Sequence, residues 1–135
     1  MITTVIGSYP KPSYLQVPDW FKAKDGTDTS NPTVGYLDAI SKMGNERESI
    51  FLKATKEVIQ DQVECGIDIV TDGEVRRENY IHYHCRHLAG IDFNQLTKKV
   101  ARTGNYECYL PTIINKVEAK DSFLVNEWLT AQKIS

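Results

Sequence analysis

The sequence has few cysteines, no long apolar run and no excess of positive charge. Its three cysteines, Cys65, Cys85 and Cys108, are widely spaced and form no CxxC pair, which argues against a disulfide framework. This usage fits a reduced, cytoplasmic setting. No segment approaches the roughly 20 apolar residues that span a bilayer, and the N-terminus lacks the basic and apolar regions of a signal peptide.

The charge balance and composition indicate a soluble globular chain. A net charge of -2 argues against a nucleic-acid or membrane-surface role, because both favour a basic patch. The 135 residues, 41% hydrophobic and 25% charged, are enough for one ordinary domain with its own core. We therefore treat residues 1–135 as a single segment.

The first third of the chain predicts a strand followed by a long irregular connection. The β-branched run Thr3–Ile6 predicts a strand, and Gly7 begins a turn. From Lys11 to Gly44 the sequence is rich in turn-forming residues and predicts a loop. Trp20 and Phe21 are expected to pin part of this loop to the body of the protein.

The clearest helix is predicted for Asn45–Cys65, with Asn45 and Glu48 as a capping box and Gly66 as the C-cap. Its apolar stripe is expected to contain Ile50, Phe51, Ala54, Val58, Ile59 and Val63. A strand at Ile67–Thr71 follows. The order strand, helix, strand predicts a parallel βαβ unit.

The remaining chain predicts a short helix, a hairpin and a last helix. The helix is expected at Asn79–Leu88, with Gly90 ending it. Alternating residues in Lys98–Tyr109 predict a β-hairpin. Thr112–Val117 either extends the second arm or forms another strand. The last helix is predicted at Ser122–Lys133.

The turn Asp72-Gly73-Glu74 is the main candidate for chemistry. It follows an apolar strand directly, and α/β proteins present carboxylates to pockets at the C-terminal ends of such strands. A solvated, charge-rich turn is an equally plausible reading. Arg76 and Arg77 would either bind an anion or neutralise the neighbouring acids.

Gly7 and Ser8 end the other strand of the predicted parallel pair. Neighbouring strands lie about 5 Å apart, so their ends would approach Glu74. An ammonium group could then bind Glu74 while a carboxylate binds the amides near Ser8. Such a constellation recognises an amino acid.

The histidines and cysteines favour structural roles over a metal site. His84 and His87 could share a helix face, but His82 could not join His84, and structural zinc requires four ligands. The histidines are predicted to pack the helix against a sheet or to bond the Asp-Gly-Glu turn. Cys65 is predicted to be buried, and Cys108 to be structural.

Two segments together resemble the cobalamin-independent methionine synthase family. They are Thr4-Val-Ile-Gly-Ser-Tyr-Pro10 and Asp68-Ile-Val-Thr-Asp-Gly-Glu74-Val-Arg-Arg-Glu-Asn-Tyr80. The similarity is to the C-terminal catalytic barrel and to shorter single-barrel relatives. It implies a TIM barrel in which a methyl group passes from a folate, or a corrinoid in some relatives, to a zinc-bound thiol such as that of homocysteine.

The resemblance assigns binding residues but no catalytic or metal-ligating residue. It implies that Ile6, Gly7 and Ser8 line the amino-acid end of the substrate and that Glu74 binds its amino group. Asp72 stands where some members have histidine, which leaves the substrate open. The family's zinc ligands, a His-x-Cys pair, a Glu and a later Cys, belong to the second half of the barrel, and this sequence contains no His-x-Cys.

Length limits what the chain can do alone. A complete (β/α)₈ barrel needs about 250 residues. The expected fold is therefore a partial TIM barrel, roughly the first two or three strands with a β-hairpin insertion. Such a chain is expected to be inactive by itself. It is expected to be a fragment of a longer protein, to pair with a second polypeptide that completes the barrel, or to self-associate. The alternatives are a non-catalytic α/β module that binds an amino acid or pairs with a second polypeptide, and a metal-binding module using His84 and His87.

Overall fold

A computed structural model describes residues 1–18, 32–104 and 106–135, which form four α-helices and one two-stranded sheet. The elements in chain order are α1 (Pro32–Met43), α2 (Arg47–Glu64), α3 (Tyr80–Arg86), β1 (Leu88–Ala101), β2 (Tyr106–Ala119) and α4 (Phe123–Gln132). None of the helices in this part of the chain is long and apolar enough to cross a membrane. The expectation for Trp20 and Phe21 lies outside the described residues.

Helix α1 corrects the prediction that the chain is irregular up to Gly44. Pro32 occupies its first position, where a missing N–H leaves no hydrogen bond unmade. The first turn is bound to α3, because Thr33 Oγ1 contacts His82 Nδ1 and Arg86 Nη2 donates to the Thr33 carbonyl at 2.9 Å. These partners lie about fifty residues away, so a local pattern could not reveal them.

The predicted capping box at Asn45 is wrong. A 3₁₀ turn at Gly44–Glu46 leads directly into α2, which begins at Arg47 without a side-chain cap. Met43 and Glu46 both have right-handed helical backbone angles. An Asn cap requires an extended residue before the helix, and the chain leaves no such residue here.

The buried stripe of α2 differs from the predicted one at its C-terminal end. Its buried residues are Phe51, Ala54, Thr55, Val58, Ile59 and Gln62. Val63 is 55% exposed, because twelve residues after Phe51 a helix has turned about 120° away from the buried face. Gln62 is buried instead: its Nε2 donates to the Thr71 carbonyl at 2.9 Å and its Oε1 accepts from the Thr71 amide at 2.9 Å.

The predicted strands near Thr4 and Ile69 are reduced to one parallel bridge between these two residues. The parallel arrangement is confirmed, since the Ile69 amide donates to the Thr3 carbonyl at 3.0 Å and Thr4 Oγ1 donates to the Ile69 carbonyl at 2.8 Å. The Asp68 carboxylate accepts from the Thr3 amide, which lowers the pKa of Asp68. Regular strands are absent from these segments because no further described strand pairs with either one.

Helix α3 is shorter than predicted, and Gly90 does not end it. Asn79 caps the helix, accepting from the amides of Ile81 at 2.9 Å and His82 at 3.0 Å. The chain enters β1 at Leu88, and Gly90 lies in that strand with φ 78°. A Cβ there would approach a carbonyl oxygen of β2 to 2.3 Å, so the glycine permits close backbone approach.

The predicted hairpin is confirmed and is longer than expected. Strands β1 and β2 are antiparallel, with a register running from Leu88↔Ala119 to Ala101↔Tyr106. Thr112–Val117 therefore extends the second arm. The last helix, α4, agrees with the prediction to within one residue at each end.

In the hydrophobic core, α2 packs against chain segments that precede it and segments that follow it. Its buried members are Leu15, Val17, Tyr36, Phe51, Ala54, Val58, Val75 and Tyr83. Gly73, two residues before Val75, packs so tightly that a Cβ would lie 2.4 Å from Val58 Cγ1 and 2.8 Å from Tyr9 Cβ. The backbone after the parallel bridge is thus pressed against α2.

We expect Gly73→Ala to lower the free energy of unfolding more than Gly66→Ala does. Both glycines have positive φ, 65° and 77°, so both substitutions carry the same kind of backbone strain. Only Gly73 has side-chain atoms where the new methyl would be, and overpacking of this kind costs about 1–3 kcal/mol. Urea denaturation of the two variants measures the difference, and equal losses would contradict the packing argument.

Candidate functional site

The turn Asp72-Gly73-Glu74 and the N-terminal segment meet beside the parallel bridge. The Tyr9 amide donates to the Gly73 carbonyl at 2.9 Å, which ties the end of the first segment to the turn. On the other side, Gln62 holds Thr71 through both backbone groups. The turn is therefore fixed from two directions, by α2 and by the N-terminal segment.

Glu74 has a backbone conformation that is unfavourable for a residue with a side chain. Its φ is 54°, in the left-handed region. Two hydrogen bonds hold it: Asp72 Oδ1 accepts from the Glu74 amide at 3.0 Å, and the Glu74 carbonyl accepts from the Arg77 amide at 2.9 Å. Strained residues of this kind concentrate at functional sites, which makes Glu74 a candidate functional residue.

The four residues to which the family resemblance assigns substrate binding, Ile6, Gly7, Ser8 and Glu74, line one cavity of about 510 Å³. The lining consists of Ile6, Gly7, Ser8, Glu74, Arg77, Glu78, Asn79 and Tyr80. The sequence reasoning did not place the last three in the site. Their closeness to Glu74 in the sequence could have indicated that they line the cavity. Residues that follow a turn and lead into a short helix remain near that turn.

The two arginines pair with carboxylates, as one of the two alternatives left open for them predicts. Arg77 contacts three acids, Asp72 at 3.7 Å, Glu74 at 3.5 Å and Glu127 at 3.5 Å. Arg76 pairs with Glu48 at 3.0 Å, outside the cavity lining. Both side chains therefore form ion pairs with acids, and Arg77 Nε has no hydrogen-bond partner among the described residues.

A fourth carboxylate, Glu78, is fully buried in the same region. Its side chain is 0% exposed, and Arg86 Nε donates to its Oε1 at 2.9 Å. Burial raises the pKa of Glu78, and the charge of Arg86 opposes this effect. Around Arg77 and Arg86, four carboxylates share two guanidinium groups, so this set carries a formal excess of negative charge. Such an environment favours a cationic ligand group over an anionic one.

The three histidines have separate partners and do not form a metal site. His82 contacts Thr33 and packs edge-on against Phe93 of β1, which confirms the predicted role between helix and sheet. His84 contacts a backbone carbonyl of its own helix, and His87 contacts Asp121 at 3.0 Å. None of them is hydrogen-bonded to the Asp-Gly-Glu turn. In the described ranges, no three His, Cys, Asp or Glu side chains are grouped to hold a metal ion, so these residues do not fit a zinc site.

The cysteines are reduced and do not contribute to the cavity. The prediction that Cys65 is buried is wrong: it is exposed, because as the C-cap of α2 it lies beyond the last buried position, Gln62. Cys85 is partly buried, and burial raises its pKa, which lowers the thiolate fraction. Cys108 Sγ lies 3.7 Å from a carbonyl oxygen of β1, consistent with a structural role.

Known proteins match this chain along its whole length. The sequence model of the cobalamin-independent synthase catalytic domain matches residues 1–135. A methionine synthase from Saccharolobus solfataricus is 31% identical over 134 residues, which cover 98% of this chain and 35% of that protein. A methionine synthase from Sulfurisphaera tokodaii is also 31% identical, with 98% of this chain and 34% of that protein covered.

A solved structure shows the same relationship. The B12-independent methionine synthase of a Shewanella species, in complex with selenomethionine, superposes with a TM-score of 0.74 and 28% sequence identity. The superposition covers 98% of this chain and 34% of that one. The chain thus spans about a third of the length of the relatives that it matches. The full-length match and the shared fold show that this chain belongs to the cobalamin-independent methionine synthase family.

Proposed function

We propose that this chain is the N-terminal part of a methionine-synthase-like TIM barrel and supplies the amino-acid end of its substrate site. The complete enzyme would transfer a methyl group from a folate, or a corrinoid, to the thiol of homocysteine or a similar substrate. The observation that carries the proposal is the single cavity in which Ile6, Gly7, Ser8 and Glu74 meet. The family membership supplies the reaction class.

Each lining residue has a role that its chemistry supports. Glu74 accepts a hydrogen bond from the substrate ammonium group. Gly7 and Ser8 offer backbone amides and a hydroxyl to its carboxylate, and Ile6 offers an apolar surface to its side chain. The excess of carboxylates favours the ammonium end. The Shewanella relative was solved with selenomethionine, an amino acid of the same general kind.

The reacting thiol and the methyl donor are assigned to parts of the barrel beyond this sequence. The family pattern for zinc, a His-x-Cys pair with a Glu and a later Cys, does not occur here. We therefore assign no step of the methyl transfer to residues of this chain. The reduced cysteines and the reaction class support a cytoplasmic setting.

Exposed apolar side chains support the proposal that additional protein segments complete the barrel. Beside the parallel bridge, Ile6 is 97% exposed and Ile69 is 56% exposed. On α4, Val125 and Trp128 are 54% and 61% exposed. Unpaired strand edges and uncovered apolar faces favour association, through a second polypeptide or a second copy. A non-catalytic module that binds an amino acid or pairs with a second polypeptide is the alternative, favoured by the missing zinc pattern alone.

Glu74→Gln is expected to weaken binding of L-methionine about tenfold, because a charge-assisted hydrogen bond to the ammonium group becomes a neutral one. Binding of 4-(methylthio)butanoic acid, which lacks the amino group, should change by less than twofold. Chemical-shift titrations of ¹⁵N-labelled chain measure both affinities.

The matched control is Glu118→Gln, which removes the same charge from an exposed pair with Lys116 on the hairpin. It should leave both affinities unchanged. Equal weakening of both ligands by Glu74→Gln would show general damage to the site. Wild-type affinity for L-methionine in that variant would remove Glu74 from the binding site.

The isolated chain is expected to associate, with a mass by light scattering above the 15.3 kDa of one copy. Val125→Lys with Trp128→Lys should reduce the associated fraction, because the two charges would occupy the exposed face of α4. The paired control, Lys99→Glu with Lys116→Glu, changes hairpin charges instead. A folded wild-type monomer at all concentrations would argue against an incomplete barrel.

The purified chain, supplied with zinc, a methyl-folate and homocysteine, is expected to form no methionine above the rate without protein. The physical reason is that an unactivated thiol is a poor nucleophile and the family's zinc pattern is missing from this sequence. Detection of methionine by mass spectrometry shows the outcome. Zinc-dependent turnover by this chain alone would overturn the division of roles proposed above.

A further inference from the structure

A second cavity, of about 390 Å³, lies among α1, α2, α3 and α4. It shares no lining residue with the cavity beside the Asp72-Gly73-Glu74 turn. Cavities that hold small molecules in proteins begin at about 300 Å³, so this one has room for a small ligand. The proposed substrate site does not account for it.

Aromatic rings form the inner wall of this second cavity. Tyr36, Phe51 and Tyr83 are buried, and the rings of Tyr36 and Tyr83 meet edge to face with their centroids 6.2 Å apart. Phe123 is partly buried, and His87 stacks on its ring with a centroid distance of 3.7 Å. Because these rings are held by one another, the wall can bind a flat apolar group with little loss of side-chain entropy.

Two guanidinium groups also line the second cavity, and they share one carboxylate. Arg47 Nε donates to Glu48 Oε1 at 3.4 Å, and Arg76 Nη1 donates to Glu48 Oε2 at 3.0 Å. Arg76 is held further by Phe51, since its guanidinium carbon lies 4.7 Å from the ring centroid. Two positive charges against one negative charge leave this group of three side chains cationic.

The other carboxylate of the lining, that of Glu127, is already bound at both oxygens. Tyr83 donates its hydroxyl to Oε1 at 2.5 Å, and Arg77 pairs with Oε2 at 3.5 Å. The Glu127 side chain is only 9% exposed, whereas that of Arg47 is 48% exposed.

The accessible hydrogen-bonding capacity of the second cavity therefore lies in N–H donors. A guanidinium carries five N–H groups, and in the described part of the chain Arg47 uses only Nε. Donors require an acceptor from the ligand. A carboxylate is a strong acceptor for a guanidinium, because it can take two parallel hydrogen bonds.

We propose that the second cavity is a further ligand site and that it takes a small aromatic carboxylate. Arg47 binds the carboxylate, and the ring of the ligand packs against Ile40 and Phe123, which are both partly buried. This inference goes beyond the proposed function, because none of these residues lines the cavity that contains Glu74.

Three ligands with the same ring and nearly the same length test the charge requirement. They are phenylacetate, 2-phenylethanol and 2-phenylethylamine. In chemical-shift titrations of the ¹⁵N-labelled chain, phenylacetate is expected to bind about fivefold more tightly than the alcohol, and the amine more weakly than either. The shifted amides should include those of Asn126 and Thr130 and exclude those of Gly7 and Ser8. Binding of the amine as tight as that of phenylacetate would overturn the proposal.

Arg47→Gln is expected to weaken phenylacetate about fivefold and 2-phenylethanol less than twofold. The matched control is Lys56→Gln, which removes a positive charge from an exposed position of the same helix outside the cavity and should leave both affinities unchanged. Equal weakening of both ligands by Arg47→Gln would show a structural role for Arg47 and overturn its assignment. The titrations of the wild type with the three ligands test the site even where the variant does not fold.

A competition experiment separates this inference from the proposed function. Saturating L-methionine should leave the affinity for phenylacetate unchanged, because the two cavities share no lining residue. Displacement of phenylacetate by L-methionine, or no binding of phenylacetate to the wild type, would overturn the second site. Binding of phenylacetate without binding of L-methionine would instead overturn the proposed function and leave the second site standing.

Discussion

The structure around the cavity depends on how the backbone at 71–73 is held against α2. The side chain of Gln62 bonds both the amide and the carbonyl of Thr71, replacing the ladder partners that a longer strand would have provided. Two residues later, Gly73 approaches Val58 so closely that no side chain fits between them. Because Gln62, Val58 and Gly73 are all buried, the turn cannot shift along the helix without leaving polar groups unpaired or atoms overlapping.

The character of the site follows from this constraint. With the turn fixed, Glu74 is held in a left-handed conformation and shares a cavity with Gly7 and Ser8. Arg77 then lies among carboxylates from two distant parts of the chain, including Glu127 of α4. More carboxylates than guanidinium groups remain in this cluster, and that imbalance favours a cationic ligand group over an anionic one.

Local patterns predicted the elements that depend on local contacts. Helix α2, the hairpin and α4 could be predicted from the sequence because their periodicity and turn residues agree with the fold. The same reasoning failed where partners distant in the sequence determine the local structure. Helix α1 depends on contacts from its first turn to α3, the regular strands need pairing partners that the described residues do not supply, and the burial of Gln62 depends on Thr71.

The sequence by itself determined the family and the first candidates of the site, since the Ile-Gly-Ser and Asp-Gly-Glu segments are contiguous motifs whose residue types carry the chemistry. Only the tertiary structure decided what surrounds them. The acids that surround Arg77 include Glu127, fifty residues away, and the charge partner of Glu78 is Arg86 of α3. Such relations arise from three-dimensional packing, because residues far apart in sequence determine each group's charge partners and burial.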